Sequence, residues 1–196
     1  MVFSHSRFAW LSALTLGLAL LAACAPQTPS SKQENKPESL QASFVTLHQT
    51  VHVKNDAKAA AAQVQALMPD EARVKQALRD NVAPDALGRV LDMHKKLGPA
   101  SEADAAKLAR PEQKEVRVHG ATTEEIVAYR EGSVAYRAFP GGARRVAEQV
   151  LRPGMTFYEV EFLEPGKDAG IKYHLLYWDG TQWSMLGPVW SVLDPR

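Results

Sequence analysis

His174, Glu159 and Glu161 are the side chains in this sequence best suited to acid–base or ligand chemistry. Glu159 and Glu161 are two positions apart, so they share one face of a strand. Asp179-Gly180 is a hairpin signal, because a two-residue type I′ turn needs positive φ at both positions. That turn pairs Trp178 with Thr181, Leu176 with Trp183 and His174 with Met185. An imidazole in such apolar company has a lowered pKa and serves as an acid–base group or a ligand contact. The two glutamates would then complete a pocket. The plainer alternative is a packed sheet holding a hydrogen-bonded histidine. No Ser, His and Asp signature accompanies the trio.

His48 and His52 form a second constellation. On a helix, positions i and i+4 share a face and are spaced to hold a metal. On a strand they stand about 13 Å apart, too far for one ion. The metalloprotease form of the motif needs Glu directly after the first His, and Gln49 stands there. Surface or half-buried imidazoles are the alternative. His94 falls on the apolar stripe of a predicted helix and reads as a hydrogen-bonded histidine at the core edge.

Gly141, Gly142, Arg144 and Arg145 open another predicted helix. Free N–H groups at a helix start attract anions, whereas two arginines in the first turn oppose the dipole. The alternatives are an anion or lipid-headgroup contact and a glycine-rich turn with exposed arginines. Trp178, Trp183 and Trp190, with their Tyr and Phe neighbours, read as a sheet core or a binding surface.

The elements that must position these groups change character along the chain. Residues 40–53 carry apolar residues at helical spacing and many β-branched ones, so helix and strand compete. Asp56 caps a helix that Pro69 ends, and a second helix is expected over residues 70–81. A third starts at Pro84 and stops at Gly98-Pro99. Ser101-x-x-Asp104 opens a short fourth, expected to reach Arg110. Val116 and Val118 alternate with Arg117 and His119, the mark of a strand. Thr122-x-x-Glu125 has capping-box form. Strands are expected at residues 133–139, 155–164, 171–178, 181–186 and 189–193, with a helix at 141–151. The fold class is α+β, N-terminal helices followed by a C-terminal antiparallel sheet. The pattern is similar to that of cystatin-like and NTF2-like domains, which implies a curved sheet wrapped on helices with a conical pocket.

Upstream of all this, the chain has the layout of a secretory signal: basic Arg7, an apolar stretch over residues 11–23, then small residues. A membrane-spanning helix needs about 20 apolar residues, and this stretch is shorter. Leu21-Ala22-Ala23-Cys24 resembles the lipobox of bacterial lipoproteins. The resemblance implies lipidation of the Cys24 sulfur, cleavage just before it, and residues 1–23 as signal peptide. Ala25, in place of an Asp retention signal, implies the periplasmic face of the outer membrane. A plain secretory signal with an incidental cysteine is the alternative.

Residues 25–38 are rich in Pro, Ser and Gln and read as a disordered tether. Its r.m.s. reach is roughly 20 Å. Residues 39–196 make one domain.

Of 23 basic and 22 acidic residues, Arg7 alone precedes Cys24, so the mature chain is formally neutral. Neutrality and the lack of a basic block argue against nucleic acid as a partner. With the sole cysteine lipidated no disulfide forms, and stability must come from an apolar core. The sequence calls for no cofactor. The expected partners are the membrane, through Cys24, and an envelope protein or small ligand. The expected role is non-enzymatic binding. The alternative is a pocket enzyme or metal-binding domain built on His174 with Glu159 and Glu161, or on His48 and His52.

Overall fold

The computed structural model describes residues 35–193. Cys24, the apolar stretch before it and residues 25–34 of the expected tether lie outside that span.

The helices begin where their capping chemistry says they should. Helix α1, Pro37–His52, starts on a proline in its first turn and buries Leu40, Phe44, Leu47 and Val51. Packing thus resolves the competition at 40–53 in favour of helix, and the last two residues of the expected tether belong to α1. Helices α2, Ala57–Leu67, and α3, Glu71–Ala77, are capped by the carboxylates of Asp56 and Asp70. Helix α4, Pro84–Leu97, ends on Gly98 at positive φ. Helix α5, Glu102–Lys107, opens with a complete Ser101–Asp104 capping box. Helices α3 and α5 stop short of the expected residues 81 and 110.

Strand β1, Glu115–Thr122, is followed by α6, Thr123–Ala128, opened by the Thr122–Glu125 capping box. Then come α7, Val134–Ala138, and α8, Gly141–Gln149. Strands β2, Thr156–Leu163, β3, Ile171–Trp178, and β4, Trp183–Met185, complete an antiparallel sheet in the order β1-β2-β3-β4. Helix α9, Trp190–Leu193, closes the described chain. The class is α+β, as expected.

Two expected strands are helices. At 133–139 the Ser133 hydroxyl accepts from the Tyr136 N–H at 3.1 Å and starts α7, outweighing the strand preference of Val134 and Tyr136. At 189–193 the Val189 carbonyl accepts from the N–H groups of Val192 and Leu193, which closes a helical turn.

The sheet is covered on both faces. On one, Tyr158, Val160, Phe162, Leu176 and Trp183 pack with Leu40 and Phe44 of α1. On the other, Ala121, Phe157, Leu175 and Tyr177 join the larger core made by α3, α4, α6, α7 and α8. A third cluster joins α1, α2 and α5 through Leu47, Ala60, Val64 and Ala105. The second face is apolar only around Phe157 and Tyr177. Further along it stand Glu159 and Glu161.

The β3–β4 register differs from the expected one by two residues: Trp178 pairs with Trp183, and Leu176 with Met185. The reason is Asp179. Its Oδ1 accepts from the N–H groups of Thr181 and Gln182, at 2.9 and 3.0 Å, and from the Thr181 hydroxyl. This side-chain turn makes a longer loop than a two-residue link.

Candidate functional site

Two cross-strand rungs build the site. On β1 and β2, His119 pairs with Glu159 and Arg117 with Glu161; on β2 and β3, Glu161 pairs with Lys172. His174 joins them through a bulge. Val160 pairs with Tyr173 but Tyr158 pairs with Leu176, so β3 carries one extra residue. Leu175 absorbs it at φ 56, an uncommon conformation for a branched aliphatic residue. The bulge turns His174 away from the face that carries Leu176, Trp183 and Met185, where the sequence placed it. It sits instead beside Glu159, with Trp190 edge-on at 5.7 Å between ring centres.

Glu159 is fully buried and Glu161 is 4 % exposed, rare burial for carboxylates. Lys172 Nζ lies 3.0 Å from Glu159 Oε1 and 3.7 Å from Glu161 Oε2. Glu161 Oε1 accepts from the Gly170 N–H at 2.9 Å. Gly170 can be nothing else, because a Cβ there would run into the Phe162 carbonyl oxygen. Glu159 Oε2 and His174 Nδ1 are 3.4 Å apart, yet neither makes a hydrogen bond.

These surroundings set the charge states. Burial pushes the Glu159 carboxyl up to about 7, outweighing the opposing pull of Lys172. Burial, helped by the Lys172 charge, lowers the His174 imidazole to about 4. His119 is lowered too, by burial first and then by Lys172. Both imidazoles are therefore neutral at pH 7, each with a free lone pair. One donor atom each from His119, Glu159 and Glu161 lies within 4.8 Å of the other two. This set can hold a cation or exchange a proton.

Periodicity alone does not single out His119. Its signal was available in the polar face of β1, where Arg117 and His119 stand at the same period as Glu159 and Glu161 on β2.

The site does not open into the cavity of about 260 Å³ bordered by Arg79, Asn81, Arg89, Gln149 and Leu193. None of the cluster residues lines that cavity.

The other candidates have structural employment. His48 and His52 do share a face of α1, with ring centres 4.7 Å apart. Their Nε2 atoms lie 3.2 and 2.9 Å from the carbonyl oxygens of Arg110 and Ala109. A carbonyl only accepts, so each Nε2 carries the proton and donates. The pair thereby clamps α1 to the chain entering β1. Burial is the main influence lowering the His48 pKa.

At the start of α8, a Cβ on Gly142 would meet Trp190 Cγ at 2.6 Å. Gly142 is thus required for the approach of the indole that flanks His174. The Arg144 guanidinium lies 5.7 Å from the centre of the Tyr129 ring, a cation–π contact. Gly141 and Arg145 stand beside them in the same helix. His94 is half-buried, and burial lowers its pKa while the Leu186 backbone beside the ring opposes the shift.

No family model, curated protein or solved structure matches this chain.

Proposed function

We propose that the chain is a lipid-anchored lipoprotein of a bacterial envelope, whose folded domain binds a ligand or partner without transforming it. The anchor reading rests on one observation: the sole cysteine stands at the end of Leu21-Ala22-Ala23-Cys24, directly after a short apolar stretch. Acyl chains contribute about 0.8 kcal/mol per buried methylene, and two chains together hold a protein at a membrane stably. Among the described residues, no helix is long and apolar enough to cross a membrane. Ala25 supports the outer membrane as destination and its periplasmic face as the working side.

The binding reading draws its support from the polar cluster on β1, β2 and β3. Its carboxylates and Lys172 pair with one another, and the cavity bordered by Arg79 and Leu193 lies away from them. A substrate-transforming enzyme needs its acid–base groups in reach of a bound substrate.

Radiolabelled palmitate fed to cells making the native chain tests the anchor. Label in the membrane-bound native protein, and none in Cys24→Ala, is the expected result. An unlabelled native protein would overturn the anchor.

A further inference from the structure

We infer that His119, Glu159 and Glu161 form a binding site for a divalent first-row transition ion of the zinc type. This names the ligand class for the binding role proposed above and rests on that half of the reading; it is independent of the anchor.

The first argument is charge. Two buried carboxylates face a single ammonium, Lys172, while Arg117 is engaged by Glu115 at 2.7 Å. Uncompensated buried charge is among the costliest arrangements in a protein interior. Beside a single lysine the second carboxyl must stay protonated, whereas a divalent cation balances both as carboxylates.

The second argument is the unpartnered atom. Glu159 is fully buried, and its Oε2 has no hydrogen-bond partner although Oε1 is held by Lys172. Native interiors satisfy nearly all such atoms. That oxygen faces His174 Nδ1 at 3.4 Å, on the same carboxyl group that clusters with His119 and Glu161.

The third argument is the donor set. One imidazole and two carboxylates suit zinc, manganese or iron(II) better than calcium or copper(I), and no thiolate is present among the described residues. Zinc binds nitrogen and oxygen at about 2.0–2.2 Å, so donors must draw to within roughly 3.4 Å of each other. Starting from 4.8 Å or less, small side-chain rotations accomplish this. Gly170, donating to Glu161 Oε1, fixes one carboxylate from behind in the manner of outer-shell partners. Lys172 is the movable piece. Its side chain is 35 % exposed and can swing into solvent as the ion enters.

The test uses the mature chain, purified in detergent, stripped with a chelator and titrated calorimetrically with zinc or manganese(II) chloride. One equivalent is expected to bind. His119→Gln and Glu161→Gln should each weaken binding by at least about 100-fold, since loss of outer-shell partners alone costs 10–100-fold. Lys172→Gln should tighten it, because the competing ammonium is gone. In the native chain, bound zinc should also protect His119 from carbethoxylation, read by peptide mass spectrometry, which needs no variant to fold. Failure to bind a stoichiometric ion, unchanged affinity in His119→Gln, or an unprotected His119 would each overturn the site. Palmitate labelling would remain unaffected by any of these outcomes, so the anchor stands or falls separately.

Discussion

Arg73 and Asp179 lie 106 positions apart in sequence and are joined Nε to Oδ2 at 2.6 Å, with 14 % and 3 % of their side chains exposed. The same guanidinium donates to Ser184 Oγ and to the carbonyls of Met68, Ala66 and Trp183. The Tyr177 hydroxyl donates to the Arg73 carbonyl. One arginine thus ties α2 and α3 to the turn that sets the β3–β4 register. Removing it leaves the buried Asp179 carboxylate with neutral donors but without its cation. Arg73→Met should cost about 3–5 kcal/mol of stability in urea unfolding. The double variant Arg73→Met/Asp179→Asn should cost clearly less than the two single changes added together. Additive losses would mean that the pair is not coupled.

Asp179 also predicts an acid limb. Burial by itself would raise its carboxyl, but the donors of Thr181, Gln182 and Ser184 outweigh burial and hold it at about 2. Its folded pKa is below its unfolded value near 3.8. The stabilisation is therefore complete above about pH 4 and is lost as pH falls towards 2. The shift corresponds to about 2 kcal/mol at neutral pH, at 1.36 kcal/mol per unit. Urea midpoints measured from pH 7 to pH 2 should fall less steeply below pH 4 in Asp179→Asn than in the native chain. Parallel curves would remove Asp179 from the acid response.

Gly142→Ala should destabilise the domain by about 1–3 kcal/mol through overpacking against Trp190. It should also change tryptophan emission, because the indole must move. Gly88→Ala in α4 is the matched control. Its Cβ meets nothing within 4 Å, and removing a helical glycine should stabilise by up to about 1 kcal/mol. Equal effects of the two substitutions would contradict the close approach of Trp190 to α8.

His48→Ala and His52→Ala each remove one imidazole-to-carbonyl hydrogen bond. Each should lower stability by about 1 kcal/mol and leave zinc stoichiometry unchanged. Loss of the bound ion in either variant would move the metal site to α1.

Much of the frame was legible because caps are local. Asp56, Asp70, Ser101 and Thr122 each announced a helix start within three residues. The misread segments depended on distant or conformational facts. Ser133 is a cap too, but Val134 and Tyr136 after it spoke for a strand, and the strand preference hid a cap that outweighs it. The β3–β4 register turned on where one carboxylate of Asp179 spends its hydrogen bonds. The face of His174 turned on a bulge at Leu175, and a leucine at positive φ leaves no trace in composition or periodicity. Glu159 and Glu161 were visible as a pair. Their partner His119 comes from a strand that α6, α7 and α8 separate from β2, and it required the pairing of β1 with β2 to be known.

The mature amino terminus tests the proposed lipid anchor most directly. Intact mass spectrometry of the protein purified from its native membrane should show a chain that begins at Cys24 and carries a diacylglyceryl group on its sulfur. A chain that begins at any other residue, or a free Cys24 thiol, would contradict the account.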